Sequence, residues 1–390
     1  MTPPLSSYAT EIYQRGLAGD APPLPTDPSA LEDAARAELD AGTFGYVAGG
    51  AGSGATLRAN RAAFDRHAFV PRMLRDTTIR DWSTTVLGTA MPAPLLLAPV
   101  GMLGLLHPDG ELAAARAAAD VGVPIVLSTV ASHTIEEVAE ASGDGPRWYQ
   151  LYWPTEDGVT VSLLERARAA GYTTLVVTLD TWTLGWRPAD LDRGDRPMLR
   201  GAGAAIPFSD PAFRAGLAVA PEEDRAAAVA RWASMFTGTA LRWERLDLLR
   251  RHWPGPIVLK GVQHPADAAR AVDAGMDGVI VSNHGGRQVD RAIGALDALP
   301  GIVEAVGERA AVLFDSGVRT GADAAVALAL GADAVLLGRP YAYGLALAGE
   351  HGVRHVLRCV LAELDLTLAL TGHASLAELR SDPDALVRRG

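Results

Sequence analysis

The chain has 390 residues, 48% of them hydrophobic and 21% charged, a globular balance with ample material for a large core. Its formal net charge of −11 repels phosphate backbones, which excludes nucleic acid as an expected partner. With one cysteine, Cys359, an intrachain disulfide is excluded, and a reducing, cytoplasmic setting is the expectation.

In chain order, Met1–Gly19 lacks a basic region followed by an apolar core, so no signal peptide is expected. Residues 1–92 read as an N-terminal helical segment, with helical patterns near Leu31–Ala41 and Arg58–His67 and a Gly-rich joint at Gly49–Gly54. The longest apolar stretch, Ala93–Leu106, is shorter than the roughly 20 residues of a membrane span and reads as a buried strand. From there short apolar runs alternate with helical patterns. The runs are Leu95–Pro99, Ile125–Ser128, Trp148–Tyr152, Leu175–Asp180, Ile257–Lys260, Val279–Asn283, Val312–Asp315 and Val335–Gly338. They are brief, rich in Val, Ile and Leu, and do not alternate with polar residues, as expected of strands buried on both faces. Gly110–Val121, Thr155–Ala170, Pro265–Ala274 and Gly321–Leu330 carry helical spacing between them. Eight such repeats predict an α/β fold, a closed (β/α)8 TIM barrel over 93–390, within a single domain of 1–390. An open doubly wound sheet is the alternative, but no Gly-x-Gly-x-x-Gly turn follows an early strand. Residues 188–250 form a long, lid-like excursion between strands four and five. Its Gly-, Pro- and Asp-rich stretch near 194–216 suggests a mobile loop, and Glu222–Phe236 a helix.

The C-terminal ends of barrel strands build active sites, and here those ends are chemically loaded. Strand three ends in Gln150-Leu151-Tyr152, and strand four contains Thr178 and ends at Asp180. Strand six runs into Ser282-Asn283-His284-Gly285-Gly286-Arg287, strand seven into Asp315-Ser316-Gly317-Val318-Arg319, and strand eight into Gly338-Arg339-Pro340. Strand five ends at Lys260, the only lysine of the chain. A lone lysine closing an apolar run points to a need for a compact ammonium that arginine does not meet. Gly317, Gly338 and Arg339 suit the phosphate site that such barrels build after strands seven and eight. His284 and Arg287 flank two glycines, so the pair can face one small ligand, Arg287 clamping a carboxylate while His284 takes a proton. Asp180 supplies the carboxylate that such a base needs; a hydrogen-bonded structural histidine is the plain alternative. Tyr46, Tyr152 and Arg187 are individually unremarkable. No Cys/His spacing suggests a metal.

Taken together, these strand ends resemble the FMN-dependent L-2-hydroxy-acid oxidase and dehydrogenase family over nearly the whole chain, from about Tyr46 to Tyr343. Ser282-Asn283-His284-Gly285-Gly286-Arg287-Gln288 matches its active-site signature, and the Asp315–Arg319 and Gly338–Pro340 segments match its FMN-phosphate segments. The resemblance implies FMN as cofactor, His284 as base and Asp180 as its partner. It implies Arg287, Arg187 and Tyr46 on the substrate carboxylate, Tyr152 at the substrate hydroxyl, and Lys260 beside the flavin edge that becomes anionic. Ala98, Pro99, Val100, Ser128, Gln150, Thr178 and Ser282 match flavin-contacting positions.

Within the family the closest likeness is to lactate 2-monooxygenase, carried by Pro22–Pro25, Tyr46–Gly52 and Asp180–Pro188. It implies oxidation of a small L-2-hydroxy acid by O2, L-lactate giving acetate, CO2 and water, in a cytoplasmic homotetramer or larger assembly without membrane or nucleic-acid partners. Gly101, after strand one, would leave room for retained product, or be a plain turn glycine. The segment Arg287–Ile293 departs from that branch in its Asp290-Arg291 pair. The alternatives are a 2-hydroxy-acid oxidase releasing the 2-keto acid and H2O2, a Schiff-base aldolase using Lys260, and a non-catalytic flavin-binding protein on the same scaffold.

Overall fold

The computed structural model describes residues 4–236 and 241–388. Eight strands close a parallel barrel: β1 (Leu95–Leu97), β2 (Ile125–Ser128), β3 (Arg147–Leu151), β4 (Leu175–Thr178), β5 (Ile257–Val262), β6 (Gly278–Val281), β7 (Ala311–Phe314) and β8 (Ala334–Leu337). Each pairs with the next, and β8 returns to β1 through Val335↔Leu95 and its successors. The strands are mostly apolar because both of their faces are covered. Leu96, Val126, Trp148, Val176, Val258, Ile280, Leu313 and Leu336 fill the barrel interior as one cluster. Their neighbours, such as Leu95, Leu127, Val177 and Val279, pack outward against the helices.

A feature not foreseen in the sequence closes the bottom. An antiparallel hairpin, Thr84–Val86 with Thr89–Met91, pushes Val86 and Met91 into the interior cluster. Thr89 Oγ1 accepts a 2.9 Å hydrogen bond from the buried Trp148 indole. Residues 1–92 are therefore not purely helical. Their helices are Ser7–Leu17, Pro28–Glu38, Ala41–Ala48 and Ala55–Asp65, and His67–Phe69 pairs antiparallel with Leu386–Arg388, joining the two ends of the described chain. The helix read at Leu31–Ala41 begins earlier because Asp27 caps it and Pro28 occupies its first turn; Asp40 then caps the next helix.

Between β4 and β5 lies the expected excursion, of which residues 237–240 lie outside the described residues. The stretch near 194–216 is not an irregular loop but a series of short helical turns. Asp210, fully buried, holds them by accepting from Phe213 N at 2.9 Å, Ser162 at 2.8 Å and Arg166 at 3.2 Å. The helix beyond spans Arg225–Ser234 and is capped by Asp224. After β8 one long helix, Arg339–Thr371, kinks at Ala348–Gly349 and packs along Gly110–Val121 and Gly321–Ala329. Among the described residues no helix is long and apolar enough to cross a membrane.

Candidate active site

The strands stop one or two residues short of the loaded positions, so Pro99, Asp180, Asn283, Asp315 and Gly338 stand beyond the last paired residues. Freed from the ladder, these segments turn over the C-terminal mouth and line a cavity of about 460 Å³.

After β6 the chain makes a tight turn, with Gly285 at φ 64° and Gly286 at φ 75°, conformations that suit glycine. His284 itself lies in the left-handed region at φ 58°. Asn283 holds the turn through a reciprocal amide pair with Asn60 at 2.7 and 2.8 Å, and accepts from Gly286 N at 3.0 Å. Ser316 Oγ accepts from Asn283 N and Gly285 N and donates to Asp315. The strained histidine is thus fixed by contacts from three separate parts of the chain, the usual circumstance of a functional position.

His284 Nδ1 lies 2.8 Å from Asp180 Oδ1. The Thr181 hydroxyl donates to the same carboxylate oxygen at 2.7 Å and stands 3.0 Å from Nδ1. With its proton on Nδ1, the ring presents the Nε2 lone pair, which has no hydrogen-bond partner among the described residues. Burial pushes the His284 pKa below its ordinary value, and the Lys260 and Arg187 charges reinforce this against the opposing pull of Asp180. Burial alone would raise Asp180, but His284, Lys260 and the two hydrogen bonds outweigh it and hold the carboxyl down at about 2. The pair is therefore a neutral imidazole on a permanent carboxylate at pH 7. Gly261, at φ 102° in the bulge after Lys260, is required here: a Cβ would stand 2.7 Å from Asp180 Cβ.

Arg187 and Arg287 sit beside one another above this pair. Arg187 donates to the Arg287 carbonyl and to Gln288 Oε1, and Arg287 donates to Gly49 O at 2.9 Å and lies 5.3 Å over the Tyr46 ring. Burial and the Arg187 charge push Arg287 down to about 10. Tyr46 donates to Gly101 O, and Tyr152 packs edge-on against Phe236; burial raises both phenols, which stay protonated.

Lys260 is 4% exposed, donates to Ser282 at 2.8 Å and lies 3.0 Å from Asp315. Burial disfavours its charge, yet Asp315 and Asp180 overcome this and raise its pKa. A permanently charged ammonium is the wrong state for Schiff-base formation, which needs the free amine, so the aldolase reading loses its nucleophile.

Arg319 and Arg339 also line the cavity, neither paired with a carboxylate among the described residues. Arg339 is pushed down to about 9, by burial first and then by Arg319 and Arg287. It also donates to Val47 O, Gly285 O and Gly49 O, pinning the Ala41–Ala48 helix to the His284 turn. Two crowded, uncompensated guanidinium groups fit an anionic ligand group.

Of the residues singled out in the sequence, Tyr46, Ala98, Pro99, Val100, Tyr152, Arg187, Lys260, His284, Arg287, Asp315, Gly317, Arg319, Gly338 and Arg339 line the cavity. Ser128, Gln150, Thr178, Asp180 and Ser282 do not. They lie beneath, with Gln150 donating to Thr178 at 2.9 Å and Ser282 holding Lys260. Gly101 lines the cavity, but a Cβ there would stand 2.4 Å from Val130 Cγ2, so close packing accounts for it and it supplies no spare room. Asp290 caps the Ala55–Asp65 helix from outside it, accepting from Ser53 N at 2.7 Å and Ala55 N at 2.8 Å. Its departure from the monooxygenase branch is structural. Sequence reasoning assigned no role to Thr181, Trp182, Arg196, Met198 and Ser316; Thr181 and Trp182 lay inside the Asp180–Pro188 stretch and Ser316 beside a loaded strand end, while Arg196 and Met198 carried no signal.

Comparison with known proteins gives the same outline. Residues 35–387 match the FMN-dependent dehydrogenase family. An FMN-dependent alpha-hydroxy acid dehydrogenase of Penicillium citrinum is 47% identical over 97% of this chain and 96% of its own length. An L-lactate oxidase of Lysinibacillus sphaericus is 45% identical over 92% of each. A crystal structure of mandelate oxidase superposes with TM-score 0.82 at 38% identity, covering 94% of this chain and 98% of that one.

Proposed function

Because this chain belongs to the FMN-dependent dehydrogenase family and is an FMN-dependent oxidoreductase of α-hydroxy acids, we propose that it oxidises L-2-hydroxy acids with His284 as base. The His284–Asp180 pair facing two adjacent arginines carries this reading. The residues fit the cofactor: Arg319 and Arg339 would hold its phosphate, and Ala98, Pro99, Val100 and Lys260 its ring. Bound FMN supplies a two-electron acceptor. Arg187, Arg287 and the Tyr46 hydroxyl hold the substrate carboxylate, and the Tyr152 hydroxyl holds the 2-hydroxyl. His284 Nε2 takes the hydroxyl proton as the C2 hydrogen departs with its electron pair, and Asp180 steadies the imidazolium that forms. Lys260 offsets negative charge that the cofactor gains.

The depressed His284 pKa fixes a pH dependence. The base is neutral above its folded pKa, so the acid limb of substrate-dependent flavin reduction in the free enzyme falls below the unperturbed value of about 6.5. Anaerobic stopped-flow across pH measures it; an acid limb above 6.5 would refute the assignment of a neutral, desolvated base.

For the fate of the product we propose retention, with L-lactate and O2 giving acetate, CO2 and water. Met198 and Phe236 of the excursion roof the cavity, which supports sequestering of a bound keto acid. At saturating L-lactate in air, acetate should form with little free H2O2. Stoichiometric pyruvate and H2O2 would instead assign the peroxide-releasing alternative and leave the base and its partners untouched.

A further inference from the structure

Charge in the cavity exceeds what the proposed reaction uses. Six cationic side chains line it, five of them arginines, against one carboxylate, Asp315, which is committed to Lys260. This occurs in a chain whose net charge is −11, so the cationic interior is a local feature aimed at anions. Arg319 and Arg339 answer a phosphate, and Arg187 and Arg287 answer one carboxylate. The fifth arginine, Arg196, is left over.

Four of these arginines hydrogen-bond to protein oxygens. The Arg196 guanidinium has neither a hydrogen bond nor an ion pair among the described residues, although its carbonyl accepts from Leu199 N at 2.8 Å. It comes from the excursion, at the start of the turn Pro197–Arg200, and lines the cavity, as do Trp182, Leu184 and Met198. Burial and the Arg187 charge both push its pKa down, Asp190 opposing them weakly. Arg196 is exposed at the cavity mouth, so its guanidinium is accessible to an anion that enters the cavity. Its planar fork is the geometry that matches a carboxylate.

We infer that Arg196 is a specificity-determining residue that binds a second carboxylate, at the far end of the substrate side chain, so that the preferred substrate is an L-2-hydroxy dicarboxylic acid. The inference rests on the L-2-hydroxy-acid reading above and places the best substrate beyond lactate. Lactate has only a methyl group where this second anion would sit, so it binds through the shared head group alone.

The test compares L-2-hydroxyglutarate with L-2-hydroxyhexanoate, a neutral acid of similar length, on the FMN-loaded enzyme and on Arg196→Leu. Two quantities are read: the second-order rate constant of anaerobic flavin bleaching, and the Kd of the matching 2-keto acids from perturbation of the flavin spectrum. Removal of a charge-assisted contact corresponds to about 10- to 100-fold. The diacid should therefore lead the neutral acid by at least about tenfold in the wild type. Arg196→Leu should erase that lead in both rate and Kd while moving the neutral acid by less than about twofold. Equal loss for both acids would place Arg196 in the head-group clamp or the fold of the excursion and overturn the inference; so would no change for either. Bleaching by the neutral acid, lactate or mandelate but not by the diacid overturns this inference alone. Bleaching by no 2-hydroxy acid overturns the underlying reading as well.

Discussion

His284→Ala lowers the rate constant of substrate-dependent flavin reduction by at least about 10²-fold while FMN stays bound, since positioned general bases contribute about 10²- to 10⁴-fold. The size follows from the geometry. Nε2 has no partner among the described residues, Nδ1 is held by Asp180 at 2.8 Å and by its contact with Thr181, and both phenols nearby are protonated and cannot substitute. FMN retention is expected because His284 contributes one face of a cavity whose cationic end is built by other strands. The backbone at 284 is left-handed, and alanine tolerates that region poorly, so His284→Asn is the companion variant, since asparagine is at home there. Both variants should be yellow, and both should bleach slowly under anaerobic substrate. Near wild-type bleaching by either would assign the proton to another group.

Lys260→Met has two expected consequences of different origin. The first is structural: Asp315, 3.0 Å from the ammonium and nearly buried, loses its counter-charge, and stranding one member of a buried ion pair costs about 3–5 kcal/mol. The second is chemical: nothing offsets the charge gained by the cofactor, so reduction slows. The double variant Lys260→Met/Asp315→Asn separates them. It should recover most of the lost melting temperature and none of the lost reduction rate. Lys260→Arg keeps the charge, but a forked guanidinium does not fit where one Nζ bonds Ser282 and pairs with Asp315, so it too should reduce slowly. Wild-type reduction in the double variant would remove Lys260 from the mechanism. A borohydride-trapped substrate adduct on Lys260 would revive the aldolase reading.

The barrel was legible because its signal is local. Strands such as Val258–Leu259 and Val279–Ile280 are apolar on both faces, and each loaded residue follows directly on an apolar run. Helix starts slipped by about one turn where the cap was not weighed, as at Asp27 and Asp224. What stayed hidden depends on contacts between distant segments. Asp290 caps a helix more than 200 residues upstream, Asn60 completes the His284 turn, and the Thr84–Met91 hairpin seals the barrel floor. In each case the residue type is common in loops, and only its partner gives it meaning. Arg196 was hidden for the opposite reason: its informative property is a guanidinium with no partner among the described residues.

The solitary lysine also sets how the molecule meets reagents. Every other permanently cationic side chain is arginine, and the one ε-amine is 4% exposed in the cavity wall and tied to Asp315. The folded surface therefore offers no lysine for acylation, amine cross-linking or isopeptide tagging, since these chemistries all need an accessible, deprotonated ε-amine. Unfolding releases Lys260 and creates such an amine where none was available. Acylation at that single position thus counts the molecules that have opened, a built-in reporter of barrel integrity that needs no engineered label.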